Sequence, residues 1–238
     1  MKLLSLLCGL LFSILVFGQK NHFDLSYGVS FPLGKFQQKD LSSQGSGFAQ
    51  RGARTQISYS RTIGEKLRLI ANYQAIGNSM DNTNLLKEFI AQYPTIDYAA
   101  VYFRIWAIKS LHLGISRSFK LGESDFSLSP SLLIGYSYIQ RPSLLIRTTY
   151  NAQNRFTGMS EDGTAAHAPS FMIELQTSYS ISKKVSLVTA INYFQTEARM
   201  NFNRIPSYGN NNPYIVQEIS YLQKIKTLGI NGGIQFHF

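Results

Sequence analysis

Four histidines, one cysteine and many serines are the residues with which this chain could do chemistry. His167 and Ser170 lie close in sequence, and a serine beside a histidine base is the minimum for nucleophilic acyl transfer. The base must come within about 3 Å of its nucleophile. Between them stand Ala168 and Pro169, and no third group is placed to orient the imidazole, so a structural role is expected. His22, His112 and His237 show no metal-ligand spacing, and His112 falls on a polar strand face. Asp162-Gly163 reads as a turn, because too few carboxylates surround it for a calcium loop. Gly45-Ser46-Gly47 sits in a long connection and reads as flexible backbone, not a phosphate cradle. No catalytic, cofactor-binding or metal-binding residue is therefore expected, and no cofactor.

The elements that would position such residues begin with a targeting segment. Lys2 is followed by an almost wholly apolar run from Leu3 to Phe17, then Gly18 and the polar Gln19, Lys20 and Asn21. This is the pattern of a secretory signal peptide, cleaved after Gly18. The apolar run is shorter than the roughly 20 residues of a spanning helix. Cys8 lies within it behind the bulky Leu7, which does not suit an acylated cysteine, so Cys8 is expected to leave with the signal. Residues 1–18 are thus assigned to the signal and 19–238 to one domain without disulfides. The formal charge is +10, and +9 once Lys2 is removed. Secretion turns that charge toward anionic lipid rather than nucleic acid.

Only 15% of residues are charged, against 16 Phe and 14 Tyr. A soluble domain carries about a quarter charged residues. The dominant pattern is a period of two. Phe23, Leu25, Tyr27, Val29, Phe31 and Leu33 alternate with Asp24, Ser26, Gly28 and Ser30. Seven further segments follow, at about 52–63, 67–77, 99–120, 126–139, 169–182, 185–197 and 219–238. In the fourth, Trp106 and Ile108 have the opposite parity to Leu111 and Leu113, which predicts a bulge near Lys109-Ser110. In the fifth, Pro130 predicts a bulge or a missing bond. Short connections at 64–66, 121–125 and 182–184 alternate with long ones at 34–51, 78–98, 140–168 and 198–218.

That rhythm predicts an all-β fold: an eight-stranded antiparallel up-and-down transmembrane β-barrel, with short periplasmic turns and four long extracellular loops. In hydrocarbon only helices and closed barrels pair every backbone group, and no stretch after the signal is a spanning helix. The polar strand face is rich in Ser, Gly, Asn and Gln but poor in charge, which suits a narrow lumen better than a solvated exterior. Arg54, Arg68 and Glu174 share that face and are expected to form a polar network inside. Asn84 is placed to cap a short helix whose stripe is Leu85, Leu86, Phe89, Ile90 and Tyr93, ended by Pro94. Its two readings are a lid on the barrel rim and a partner-binding helix. Lys35, Lys39, Arg51, Arg141, Arg147, Arg155, Arg199 and Arg204 lie in the long connections or at strand ends. Lys35, Lys39, Arg141, Arg147, Arg155 and Arg204 are the candidates for contact with lipopolysaccharide phosphates.

The chain closes on Gly-Ile-Gln-Phe-His-Phe, an alternating strand ending at Phe238. Here it resembles the small bacterial outer-membrane β-barrel domains, the group of the outer-membrane protein A barrel and outer-membrane protein X. The resemblance implies an integral outer-membrane location, and implies that Phe236 and Phe238 form the carboxy-terminal signal recognised by barrel-insertion machinery. It implies no single activity. The leading expectation is a non-enzymatic barrel with a filled or narrow lumen, its loops binding or stabilising surface components. The alternatives are an accessory subunit of an envelope secretion or assembly complex, with a protein partner, and a lipid-modifying enzyme using Ser170 and His167.

Overall fold

The computed structural model describes residues 21–63, 66–92, 99–103, 105–122, 124–148, 156–208 and 216–238. The expected signal segment with Cys8 lies outside these residues, as do Tyr93, Pro94 and Arg155. Among the described residues, twelve strands form one antiparallel sheet. They are β1 (Asn21–Leu33), β2 (Ala49–Ile63), β3 (Leu67–Met80), β4 (Ala99–Phe103), β5 (Trp106–Arg117) and β6 (Phe119–Lys120). Then come β7 (Phe126–Arg141), β8 (Leu144–Thr148), β9 (Phe156–Glu161), β10 (Thr164–Ser180), β11 (Val185–Tyr208) and β12 (Gln217–His237). Eight of these close into a ring in the order β1–β2–β3–β5–β7–β10–β11–β12. The closing seam runs from His22 against His237 to Leu33 against Lys226.

Alternation along each strand sorts side chains to two faces. The inner face is polar and buried: Asp24, Ser26, Arg54, Gln56, Asn72, Gln74, His112 and Glu174 all point there. The outer face is apolar and open, with Ile134 69% and Leu113 62% exposed while Arg54 and Gln74 are 0% exposed. A water-soluble sheet arranges these faces the other way round. Arg117, which shares the outward parity of β5 with Lys109, stands over the Phe119 ring at 5.2 Å near one end of the outer band, which accommodates its charge there.

Three expectations need correction. The register of β5 is continuous through Lys109 and Ser110, so no bulge separates its halves. Trp106 and Ile108 are inward residues, 2% and 0% exposed, on the same face as Ser110 and His112. They belong to an apolar layer inside the ring with Phe36, Ile76, Ile139, Phe194 and Met200. Residues 99–103 leave the ring as β4, which pairs with β8 instead. The third long connection is also not a loop. β8 and β9 prolong β7 and β10 as a hairpin beyond the ring, with Leu144 opposite Glu161 just as Arg141 is opposite Thr164.

Two prolines interrupt the ladder without shifting its register. Pro130 has no rung toward β5 or β6, yet Ser116·Ser131 and Phe119·Leu128 on either side keep one alignment. Ser116 Oγ donates to the Pro130 carbonyl at 2.9 Å in place of a backbone bond. Pro169 is the second case. Thr196 Oγ1 donates to the Pro169 carbonyl at 2.9 Å, so that carbonyl points toward β11. In an extended strand the N–H of a residue points the same way as its C=O, and proline has none to give. The β10–β11 ladder accordingly ends at Ser170·Thr196. Beyond it, Asp162 N donates to Asn203 O at 3.0 Å and β9 pairs with β11 from Glu161·Arg204 onward. Among the described residues no rung joins 163–169 to 197–202, which leaves a split in the wall.

The split predicts uneven amide protection. In detergent, those amides of residues 198–202 that face β10 exchange with deuterated water about tenfold or more faster than amides of residues 186–196. Uniform protection along β11, measured by hydrogen-exchange mass spectrometry, would show that the missing rungs are made in solution.

Candidate functional site

The interior is built from the side chains that alternate residues of each ring strand send inward, and its centre is Arg54 on β2. Arg54 Nη2 donates to Gln74 Oε1 on β3 and lies 2.8 Å from Met172 Sδ on β10. Room for the guanidinium comes from Gly229 on β12. A Cβ there would stand 2.8 Å from Arg54 Nη1 and 2.2 Å from Asn192 Oδ1. Glu174 does not pair directly with Arg54: its Oε2 accepts from Gln56 Nε2 at 2.7 Å. Asn231 Nδ2 in turn donates to Gln56 Oε1 at 3.2 Å, joining β2, β10 and β12 through the lumen. Arg68 stands apart and donates to Ser118 Oγ at 3.1 Å. The structure thus places Arg54 and Glu174 in the same interior, each on a separate glutamine, and Arg68 on Ser118 at its edge.

The histidine chemistry is redistributed. His167 and Ser170 differ by an odd number of positions on one strand, so their side chains take opposite faces. His167 is exposed on the outside, its ring centroid 5.8 Å from that of Tyr136 and 5.1 Å from that of Tyr138. Ser170 is buried inside, where its Oγ lies 3.0 Å from His112 Nε2 on β5. His112 is fully buried between this hydroxyl and the edge of Phe194. A Cβ on Gly135 would come within 2.7 Å of His112 Cδ2, so glycine is required beside the imidazole. The pair has the elements of a nucleophile and base, but burial closes it to a substrate. A second histidine pair sits at the short-turn end: His22 Nδ1 and His237 Nδ1 are 2.7 Å apart, and His237 Nε2 meets Ser186 Oγ at 2.7 Å.

The other end is capped. The 3₁₀ turn Gly34–Phe36 inserts Phe36 into the ring, edge-on to Trp106, whose Nε1 donates to Gly47 O at 3.0 Å. Helix α1 (Asn82–Gln92) packs in a second apolar cluster at the same end, and Met80 packs against both clusters. Its cap is Asp81, which accepts from the Asn84 backbone N–H at 3.1 Å, so the helix starts earlier than Asn84 predicts. Leu85 and Phe89 of α1 bury against Phe48, Ala99, Leu144 and Ile146, which makes the helix a lid. Asp81 also holds Lys39 at 2.5 Å, and its backbone N–H donates to Phe48 O, tying the first long connection to the second.

The basic candidates divide by what they touch. Arg141 is buried, bonded to Glu161 and stacked 3.8 Å from the Phe202 ring, so it is withdrawn from any surface contact. Arg204 shares the same Glu161 at 2.6 Å. One carboxylate held by two guanidiniums fastens the β8–β9 hairpin to β7 and β11, and removing it would strand a buried charge. Lys35 and Arg147 are exposed, as are Arg51 and Arg199. The plug of Phe36 and Phe48, the Ser170–His112 pair and the Glu161 clamp were not found by sequence reasoning. Only the inward parity of Trp106 and Ile108 signals the plug.

No family model matches the chain, and no curated protein is similar to it in sequence. It is similar to a major outer membrane protein from Thermus thermophilus, with 9% identity, 92% of this chain and 99% of that one covered and a TM-score of 0.49. It is also similar to the outer membrane protein OprG from Pseudomonas aeruginosa, at 11% identity, 92% and 96% coverage and a TM-score of 0.46. A third is the outer membrane protease OmpT from Escherichia coli, at 10% identity, 93% and 97% coverage and a TM-score of 0.46.

Two outcomes follow from this geometry. Gly229→Leu forces a side chain into Arg54 and Asn192, costing about 1–3 kcal/mol, and lowers the temperature at which the folded species unfolds on a semi-native gel. Asp81 supplies a pH dependence. Burial works to raise its pKa, but hydrogen bonds from Lys39, Asn84 and Gln50 outweigh it and hold the carboxyl below the usual range. A depressed pKa contributes stability in full above the unfolded value of about 3.9, and loses it as pH falls from there toward the folded value. The cap therefore resists proteolysis unchanged from pH 7 to about 5 and loosens below about 4, and Asp81→Asn is loosened at every pH.

Proposed function

We propose that this chain is an integral barrel of a bacterial outer membrane: eight strands cross the lipid, the lumen is filled, and a β-rich capped end faces outward to meet surface components. The observation that carries this reading is the sidedness of the ring, with large apolar side chains open on the outside and Arg54, Gln74 and His112 fully buried within. In lipid that exterior is solvated and the closed ladder satisfies the backbone. The short turns then lie in the periplasm and the long connections outside. Phe236 and Phe238 are exposed on the outside, where insertion machinery could reach them.

Lipopolysaccharide phosphates are the surface chemistry the outer end fits best. Lys35 and Arg147 project freely, and Lys39 with Arg51 line a groove of about 1020 Å³ above β1 and β2. Each exposed cation contributes little alone, so binding depends on several acting together. The role is non-enzymatic, since the Ser170–His112 pair is enclosed by side chains. The filled lumen also sets transport: with eight strands the interior is just wide enough for side chains, and the Phe36–Trp106 plug closes one end. Purified protein in planar bilayers therefore gives no large, stable conductance steps, and such steps would contradict the filled lumen.

A further inference from the structure

The split between β10 and β11 is left unused by the reading above, and it coincides with a second feature of the wall. A groove of about 820 Å³ runs down the outer surface beneath it, floored by Leu111, Leu113, Ile134, Tyr136 and Phe171. Its upper end reaches Ser170 and Thr196, the last rung before the split. The groove and the split are therefore one continuous site, apolar below and polar above.

The upper part has its own chemistry. The strand edges at 163–169 and 197–202 present backbone groups with no ladder partner among the described residues. Backbone groups left unpaired near hydrocarbon are costly, so they require a polar partner. Along the outward face beside the split stand His167 and Arg199, both exposed. Glu197, the nearest carboxylate on that face, is drawn toward Lys224 at 3.8 Å. Glu197 itself lines the groove and Lys224 offsets its charge, so the unbalanced charge on that face is that of Arg199, one outward position beyond the groove, and it favours an anion. An apolar trough ending in hydrogen-bonding edges and a guanidinium has the polarity of one lipid molecule, chain down and phosphate up.

We infer that this split seam is a built lipid site: an acyl chain of one anionic, phosphate-bearing membrane lipid lies in the groove over Ile134 and Phe171, and its phosphate and ester oxygens accept from Arg199 and the unpaired edges of β10 and β11. The inference rests on the lipid-facing reading of the exterior. Pro169 creates the site, because its missing N–H ends the ladder at the height where the groove ends. The chain makes ordinary apolar contact, while the head replaces the absent rungs.

The test compares the folded barrel in detergent with the same barrel in nanodiscs of phosphatidylcholine alone or with phosphatidylglycerol. Hydrogen exchange is followed residue by residue, and native mass spectrometry counts retained lipid. Phosphatidylglycerol is expected to slow exchange at 163–169 and 197–202 about tenfold and to leave one retained lipid, with a smaller effect from phosphatidylcholine. Ile134→Trp fills the groove from an exposed position and is expected to abolish both effects. Arg199→Gln is expected to remove the preference for the anionic lipid. Equal exchange at the split in detergent and in both discs would overturn the proposal, as would an unchanged retained lipid in Ile134→Trp. The boiling-dependent gel shift of the same samples reports the barrel separately, so loss of the lipid effect with the shift intact sinks this site alone.

Discussion

A backbone N–H or C=O that meets hydrocarbon cannot be left without a hydrogen-bond partner, and the rest of this structure follows from that constraint. The chain meets it by closing eight of its strands on one another, with the first and last strands paired along their full shared length. Closure fixes the strand faces, and alternation then dictates which side chains meet lipid and which are enclosed. Where proline breaks the ladder the structure compensates. Ser116 bonds the Pro130 carbonyl and Thr196 bonds the Pro169 carbonyl, each a hydroxyl standing where an amide would be. At Pro130 the pairing resumes within a few residues, whereas at Pro169 it does not resume until the strands leave the ring.

Enclosure creates a second problem, since a narrow lumen has no room for water to solvate charge freely. The chain answers it in layers. At mid-height the interior is polar and bridged by amides, with Gln56 holding Glu174 and Gln74 holding Arg54. Amide bridges let two opposite charges share a buried space without the geometry a direct ion pair demands. Toward the long-connection end the interior turns apolar, and Phe36, Trp106 and Met200 fill it without polar atoms to satisfy, apart from the Trp106 N–H that Gly47 accepts. Helix α1 and the β8–β9 hairpin then seal that layer, and the seal is tied by Asp81 and Glu161, each gathering bonds from separate segments.

Much of the ring was legible in the sequence, because a half-buried strand writes its faces as a period of two. Phe23 to Leu33 shows this, and its burial follows the alternation residue by residue. The same rule was misapplied at two places. Trp106 and Ile108 looked out of phase only on the assumption that inward residues are polar, when the interior is apolar at that height. His167 and Ser170 looked like neighbours, although three positions along a strand means opposite faces. The cap was not legible, since β4, β8 and β9 are short and their pairing is set by contacts between distant connections. Nor was the Ser170–His112 pair, whose members are 58 residues apart and meet only through the register of β5, β7 and β10.

The most direct test of the account is where the protein resides and whether it behaves as a closed barrel there. Outer membranes would be isolated, washed with carbonate, and run boiled and unboiled on a detergent gel. The account predicts retention in the washed membrane and a band whose mobility changes on boiling, because the closed ladder survives detergent until heated. Release into the soluble fraction with no change on boiling would contradict it, and the inside-out assignment of the faces would have to be abandoned.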